Sequence, residues 1–337
     1  MEHTVSVARA HHYVPQVYLR QWATEGRVAA RRRGDSQAFV ASVAKVMQER
    51  DLYTIEHPDM RDDAIETFLS RLESEIPEML RRLRMGMLPS RGTTVRTDFA
   101  ELLAMQYIRT PDRLILDRLP RSARARAGAD GVIDEATVRE LFVDHVGREP
   151  LVAEADGLRD FLALTARPES LRVRNEVVAS MFGSFEPVAS HLHDMSWSVE
   201  RTRGLTFITS DTPVHVWCRN PPQSSGVGIA NADEVRFPVG PRHLLVMRPR
   251  GQESSSLVAR SRVESVNRHT IAASWQVIAA QPNVAEALSR AELRPLRPLL
   301  IVRSVKGIVT SSGSKDKDAD LLHLMRPYDD GTSAEHT

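Results

Sequence analysis

Two adjacent histidines, His11 and His12, stand near the N-terminus in the segment RAHHYVPQVYLRQW (9–22). Histidine titrates near neutral pH, so its ring can act as a general base, a general acid or a metal ligand. Neighbouring side chains point to opposite sides of an extended chain and diverge on a helix, so these two rings are poorly placed to bind one metal ion together. We predict that one ring belongs to a functional site and the other holds the N-terminal arm in place. The pattern leaves open which is which, and also the alternative that both rings are satisfied within a packed arm.

A second candidate is Asp211, which follows an apolar strand in the segment FITSDTPV (207–214). A sheet holds the side chain at a strand end rigidly, and a carboxylate in that place suits a metal ligand or a general base. Asp211 also suits a structural role, in which its carboxylate accepts backbone N–H groups and organises the turn at Pro213. Residue type alone does not separate these roles.

A third candidate pair lies in the segment AMQYIRTPDR (104–113), where Gln106 and Arg109 are three residues apart. This spacing places both side chains on one face of a helix. A guanidinium close to a helix end suits a phosphate or carboxylate ligand, or an ion pair with a buried aspartate.

Composition narrows the function classes. The chain has 337 residues and a net charge of +1, and arginine supplies 41 of its 45 basic residues. This excess fits either phosphate recognition by guanidinium groups or the codon bias of a GC-rich genome. The sequence lacks a glycine-rich phosphate loop, a G-x-S-x-G elbow, an H-E-x-x-H zinc motif and a dinucleotide fingerprint. These absences exclude the commonest classes of ATPase, of serine hydrolase, of zinc protease and of Rossmann-fold enzyme.

The single cysteine, Cys218, excludes an intrachain disulfide. The first residues, MEHTVSVARA, lack the apolar stretch of a signal peptide, and no apolar run has the length of a membrane span. We therefore expect a cytoplasmic protein without a membrane partner. Nothing in the sequence indicates an oligomeric state.

Hydrophobic periodicity predicts the elements that must position these candidates. Apolar residues at gaps of three and four predict a helix over 62–84, which Pro77 should kink or split. A second helix over 97–108 carries Gln106 and should end at the Thr110-Pro111 junction, before which the helical conformation is disfavoured. The segment 27–43 reads as a hairpin that turns near Gly34.

From residue 195 the chain changes to short β-branched runs separated by Gly, Pro, Asn or Ser, which is typical of strands. The sequence thus predicts an α+β fold, with a helical N-terminal half that contains a small hairpin and a mainly antiparallel sheet in the C-terminal half. We expect one domain over 1–308, helical over about 60–195 and β-rich over about 196–308. The tail, 309–337, is mostly polar and is predicted to be mostly disordered.

The order of the blocks HHYVPQVYLRQW, ERDLYT, AMQYIRTP, FITSDTPV, FPVGPRHLLVM and VNRHTIAASWQVI resembles the DUF4238 family of bacterial proteins, over roughly 10–280. Thr212 replaces the asparagine that usually follows the aspartate in that family. The resemblance implies equivalent positions and no reaction, because the function of the family is unknown. The matching positions are His11, His12, Tyr13, Pro15, Gln16, Tyr18, Leu19, Gln106, Arg109, Thr110, Pro111, Ser210, Asp211, Pro213 and Asn267.

These scattered polar residues have the composition of a site, because buried polar groups are costly unless they are paired or bind something. We expect the N-terminal arm to lie across the helical half and to meet the strand end that carries Asp211. The leading hypothesis is a hydrolase that acts on a phosphate-containing substrate, in its specific form a nuclease. The catalytic candidates are His11, His12, Asp211 and Arg109, and the substrate-binding candidates are Gln16, Gln106 and Asn267.

In this hypothesis one histidine is a general base or metal ligand, Asp211 is a ligand or an orienting carboxylate, and Arg109 holds a phosphate. A divalent metal is the candidate cofactor, and nucleic acid or a nucleotide is the candidate partner. Two alternatives remain open. The same residues could form a non-catalytic module that binds a nucleotide or nucleic acid, or a structural polar network without a catalytic role.

Overall fold

The structure is a computed structural model. The residues that it describes are 10–50, 55–56, 61–62, 73–111, 119, 122–127, 133–146, 148–165, 185–221, 227–294, 299–305 and 319–325.

Helices and strands both occur throughout the described part of the chain. The helices are α1 (Gln16–Leu19), α2 (Ile76–Arg84), α3 (Thr94–Ile108), α4 (Glu135–Val146), α5 (Val152–Thr165), α6 (Phe185–Asp194), α7 (Arg260–Ala273) and α8 (Ala285–Ser289). The strands are β1 (Ala10–His12), β2 (Arg27–Arg32), β3 (Phe39–Ser42), β4 (Gln48–Arg50), β5 (Ile55–Glu56), β6 (Arg61–Asp62), β7 (Ser196–Arg201), β8 (Thr209–Ser210), β9 (His215–Trp217), β10 (Glu234–Gly240), β11 (His243–Arg248), β12 (Ser254–Leu257), β13 (Val277–Ala280), β14 (Leu299–Val305) and β15 (Ala319–Met325).

Two sheets dominate the β structure. The first has the strand order β12-β7-β11-β10-β9, and the second has the order β3-β2-β13-β8. All of their pairings are antiparallel except that of β12 with β7. The predicted α+β class, with helices mostly in the N-terminal half and antiparallel sheets in the C-terminal half, is therefore confirmed.

The chain divides into two compact units. The first contains the described residues within 1–111 and 183–294, and the second contains those within 112–182 and 295–327. In the second unit, helix α4 packs against α5, and α5 contacts both strands of the antiparallel β14–β15 pair. Strand β15 lies within the tail, 309–337, for which the sequence predicted mostly disorder; the other tail residues lie outside the described ranges.

The two helices predicted over 62–84 and 97–108 correspond to α2 and α3, with one correction. The predicted start of the first helix at Asp62 was wrong, because Asp62 ends strand β6. Residues 63–72 lie outside the described residues. Pro77 stands in the first turn of α2, where its missing N–H costs no helical hydrogen bond. Helix α3 begins after Thr93, whose hydroxyl accepts the N–H of Arg96, and it ends before the Thr110-Pro111 junction as predicted.

The core of the first unit fixes the C-terminal elements. Val263 and Val266 of α7 pack against Phe207 and against Leu244 and Val246 of β11. This contact holds α7 against the five-stranded sheet, and it places Asn267 beside the segment that leads into β8. The hairpin predicted over 27–43 is present as β2 and β3, and Gly34 takes the positive φ that the turn requires.

Candidate functional site

Strand β1 anchors the N-terminal arm. It pairs with β4 in the antiparallel direction, so that His11 lies opposite Glu49 and His12 lies opposite Gln48. The backbone N–H of Tyr13 continues this contact by donating to the carbonyl of Met47 at 3.3 Å. The side chain of His11 lies outside the described structure, whereas that of His12 is half-buried in the first unit.

The His12 ring lies within the electrostatic reach of two charged side chains, Glu73 and Arg109. Burial lowers the pKa of His12, and the charge of Arg109 lowers it further. Backbone hydrogen bonds at Ala44 and Val43 and the Glu73 carboxylate oppose this change without cancelling it. His12 is therefore neutral at neutral pH. Its Nε2 atom is buried and has no hydrogen-bond partner among the described residues.

Helix α3 positions Arg109 and Gln106 as the three-residue spacing predicted. Arg109 is 3% exposed and its Nη1 donates to Glu73 Oε1 at 2.7 Å. Its Nε and Nη2 atoms donate to Gln106 Oε1 at 3.3 and 3.1 Å, and Gln106 Nε2 donates to the carbonyl of Tyr13 at 3.0 Å. The chain Glu73–Arg109–Gln106 thus fastens the N-terminal arm to α3. We call His12, Glu73, Gln106 and Arg109 the His12 cluster.

A small cavity adjoins the His12 cluster. Glu73, Gln106 and Arg109 form part of its wall, together with Tyr18 and apolar side chains of α2 and α3. Its volume is about 20 Å³, which is room for about one water molecule. The Glu73 side chain is 32% exposed, so its carboxylate is the part of this wall that solvent reaches most readily.

Asp211 lies elsewhere in the first unit and is fully buried. Its Oδ1 accepts the N–H of Trp275 at 2.7 Å, and its Oδ2 accepts those of Gln276 and Val277 at 2.5 and 2.9 Å. Its own N–H donates to the carbonyl of Val277. The carboxylate therefore organises the connection between α7 and β13, which is the structural role that the sequence left open.

Asn267 and Thr212 also bond to the backbone. Asn267 Oδ1 accepts the N–H of Ile208 at 3.1 Å, and its Nδ2 donates to the carbonyl of Thr206 at 2.8 Å. Thr212 Oγ1 donates to the carbonyl of Ala273, at the end of α7, at 2.6 Å. The threonine that departs from the family pattern thus caps the end of this helix.

Two aromatic residues outside the predicted site join the arm to this region. Tyr18 donates its hydroxyl to the carbonyl of Pro238 at 2.8 Å and shares a 2.7 Å hydrogen bond with Thr209 Oγ1. Trp22 Nε1 donates to the carbonyl of Phe207 at 2.9 Å. These contacts join residues 18–22 to β8 and to the segment before it, close in sequence to the strand end at Asp211 that we expected the arm to meet. The residue types alone could have indicated such contacts, because a buried tyrosine hydroxyl or tryptophan N–H usually finds a hydrogen-bond partner.

Comparison with known proteins identifies the family. A family model described as a protein of unknown function, DUF4238, matches residues 10–283. The chain belongs to the DUF4238 family. No curated protein and no solved structure matches it. Membership confirms the resemblance seen in the sequence blocks, and it assigns no reaction.

The remaining candidates of this DUF4238 chain are less constrained. Gln16 is half-buried in α1, and its side chain makes no hydrogen bond to any residue that the structure describes. Within those same residues, no group of three or more His, Cys, Asp or Glu side chains could hold a metal ion. No helix in the described ranges is long and apolar enough to cross a membrane.

Glu73 is the member of the His12 cluster that the sequence did not predict. It stands 36 residues before Arg109, in no recognisable motif, and only the folded structure brings the two together.

Proposed function

We propose that this chain is a hydrolase that acts on a phosphate-containing substrate, with His12 as its general base. The observation that carries the proposal is the buried, unpartnered Nε2 of His12 beside Glu73 and Arg109. A neutral imidazole with a free nitrogen lone pair is the form of histidine that removes a proton from an attacking water.

The surroundings of His12 favour this form. Backbone groups of Ala44 and Val43 hydrogen-bond the ring, whereas Nε2 has no partner among the described residues, and we therefore assign the proton of the neutral ring to Nδ1. Fixing one nitrogen through the backbone leaves the lone pair on the other, as in hydrolases whose histidine is oriented by a carboxylate. The nearby Glu73 carboxylate would stabilise the imidazolium that forms when His12 accepts a proton.

Arg109 supplies the positive charge for a phosphate group. Its guanidinium now balances Glu73, so a phosphate oxygen must compete with this carboxylate for Nη1. Arginine binds phosphate and carboxylate with the same fork of N–H donors, which makes such an exchange chemically reasonable. The partly exposed Glu73 is the group that would move. In this proposal Asp211 and Asn267 act as positioning residues, because their polar atoms bond to the backbone.

The test is a turnover assay of the purified full chain with bis(4-nitrophenyl) phosphate, 4-nitrophenyl phosphate, single-stranded DNA and RNA, each with and without Mg²⁺ or Mn²⁺. We expect His12→Ala to lower kcat by about 10²- to 10⁴-fold on the preferred substrate. Added imidazole should restore part of the activity, which a purely structural role of His12 would not allow. His193→Ala is the matched control, since His193 is a partly exposed histidine that bonds to Asp194.

Unchanged turnover in His12→Ala would contradict the role of His12. Absence of turnover by the wild-type chain on every substrate would overturn the hydrolase proposal.

A structural polar network is the second candidate, and the three backbone N–H groups that Asp211 accepts favour it. In this case the residues that match the family motif hold the N-terminal arm, β8 and β13 together. The function of the chain would then depend on another surface. Substitutions of His12 would then lower the melting temperature without a change in any activity or binding.

A further inference from the structure

A second polar concavity lies in the first unit, at the far end of α2 from the His12 cluster. It is an open groove of about 640 Å³ between the end of α2, the β10–β11 turn and the residues that follow β13. Arg84 and Arg242 stand in its wall with His243, Thr206, Gln281 and Asn283. Ile76 borders the small cavity and Arg84 borders the groove, and at 1.5 Å per residue about 12 Å of helix separates these two positions.

The two arginines of the groove lack carboxylate partners among the described residues. Arg84 Nη1 donates to Gln21 Oε1 at 2.6 Å, and Arg242 Nη1 donates to the carbonyls of Arg203 and Gly204. Neutral acceptors therefore orient both guanidinium groups, and no carboxylate in the described part of the chain balances their charges. Arg81, one turn earlier on α2, makes a bidentate pair with Glu78 instead.

The other polar groups of the groove add donors and acceptors without negative charge. None of the described residues that line it is an aspartate or a glutamate. Burial lowers the pKa of the half-buried His243, and the positive charges of Arg84 and Arg201 lower it further. His243 is therefore a neutral donor and acceptor at neutral pH, and it lies in a positive potential. The amides of Gln281 and Asn283 and the hydroxyl of Thr206 complete a polar wall.

We propose that this groove binds the phosphate group of a small phosphorylated molecule of nucleotide size. Guanidinium groups with spare N–H donors match phosphate oxygens in geometry and charge. The volume lies in the range of about 300–1,000 Å³ that is usual for small-molecule sites and exceeds the needs of a lone phosphate ion. The amides provide hydrogen bonds for the rest of such a ligand. The site is separate from the His12 cluster, so it does not depend on the proposed hydrolysis.

The test is calorimetric titration of the full chain with AMP, ADP, inorganic phosphate and a single-stranded oligonucleotide, at low and at moderate salt. We expect AMP or ADP to bind more tightly than inorganic phosphate, with affinity that falls as salt rises. Arg84→Gln and Arg242→Gln should each weaken nucleotide binding about 10-fold, since each removes a charge-assisted contact. Arg81→Gln is the matched control on α2 and should change affinity less than 2-fold.

The melting temperature of each variant separates binding from folding. Arg242 bonds only to backbone carbonyls of an exposed segment, so Arg242→Gln tests the site even if Arg84→Gln is unstable through loss of its bond to Gln21. Three results would overturn the proposal: no binding of AMP, ADP or phosphate at millimolar concentration, equal losses in Arg81→Gln and Arg242→Gln, or binding of the oligonucleotide alone. The last result would assign the groove to nucleic acid instead.

Discussion

Asp211 is a carboxylate at a strand end, where both catalytic and structural roles fit, and its three backbone N–H partners define a large structural contribution. We predict that Asp211→Asn lowers the free energy of unfolding by about 3 kcal/mol. The reason is that charge-assisted hydrogen bonds are lost and the amide N–H₂ faces backbone donors. Urea denaturation measures this change. Asp233→Asn is the control, because Asp233 is exposed and accepts one N–H, from Arg219. Equal stability of the two variants would contradict the assignment.

The contrast between Asp211 and His12 shows what the sequence could predict at the scale of residues. The sequence indicated both residues as candidates for a site and left the role of each open. The partners of Asp211 lie 64 to 66 residues away, and those of His12 include Glu73, which belongs to no motif. Residue type states what a group can do, whereas its role depends on which backbone donors and charges the fold brings near it.

At the scale of elements, the N-terminal arm is docked on the strands through Tyr18. Both Tyr18 and Thr209 are buried, and burial raises the pKa of the phenol, which keeps its proton available for the hydrogen bond. We predict that Tyr18→Phe and Thr209→Val are coupled by about 1 kcal/mol in a double-mutant cycle of unfolding free energies. Additive effects, within about 0.3 kcal/mol, would show that this hydrogen bond does not hold the arm.

Periodicity predicted the elements better than it predicted their pairing. The run of apolar residues on α3 and the Thr110-Pro111 junction predicted the helix that ends just before Arg109, because both signals are local. The β-branched runs after residue 195 gave most strands of the five-stranded sheet. The parallel pairing of β12 with β7 was not predicted, because Ser254–Leu257 is polar and exposed and lacks the alternation that marks a strand.

At the scale of the whole molecule, a buried ion cluster should control acid stability. Glu234 accepts hydrogen bonds from Arg236, Arg248 and Arg262. These arginines belong to three different elements, β10, β11 and α7 respectively. Burial alone would raise the pKa of Glu234, but the arginine charges outweigh it and lower the pKa to about 2. Because the pKa is lower in the folded state than in the unfolded chain, the stabilisation is present above about pH 4.5 and is lost as the pH falls toward 2.

We therefore predict that about 3 kcal/mol of the acid-induced loss of stability comes from Glu234. Urea denaturation between pH 5 and 2.5 should show a flatter pH dependence for Glu234→Gln than for the wild type. Glu78→Gln, at an exposed ion pair on α2, should keep the wild-type dependence. Glu234→Gln leaves Arg236 buried without its carboxylate, so NMR titration of the Glu234 carboxyl in the wild-type chain gives an independent reading. A midpoint near 4.5 would contradict the prediction.

The division into units is another property of the whole molecule that composition does not reveal. The second unit joins segments within 112–182 and 295–327, which are separated by the entire C-terminal part of the first unit. The sequence predicted a single domain over 1–308 and marked no boundary near residue 112 or residue 295. The predicted site residues all lie in the first unit, whereas the family match over 10–283 includes residues of both units.

The pH dependence of kcat/KM for the wild-type chain on its preferred phosphate ester tests the central claim most directly. A general base must be unprotonated to act, so activity should fall with acid along a limb whose midpoint lies below 6.5, since the pKa of His12 is lowered. The residual activity of His12→Gln should lack this limb. An identical acid limb in His12→Gln, or a wild-type profile without one, would contradict the assignment of His12 as the base.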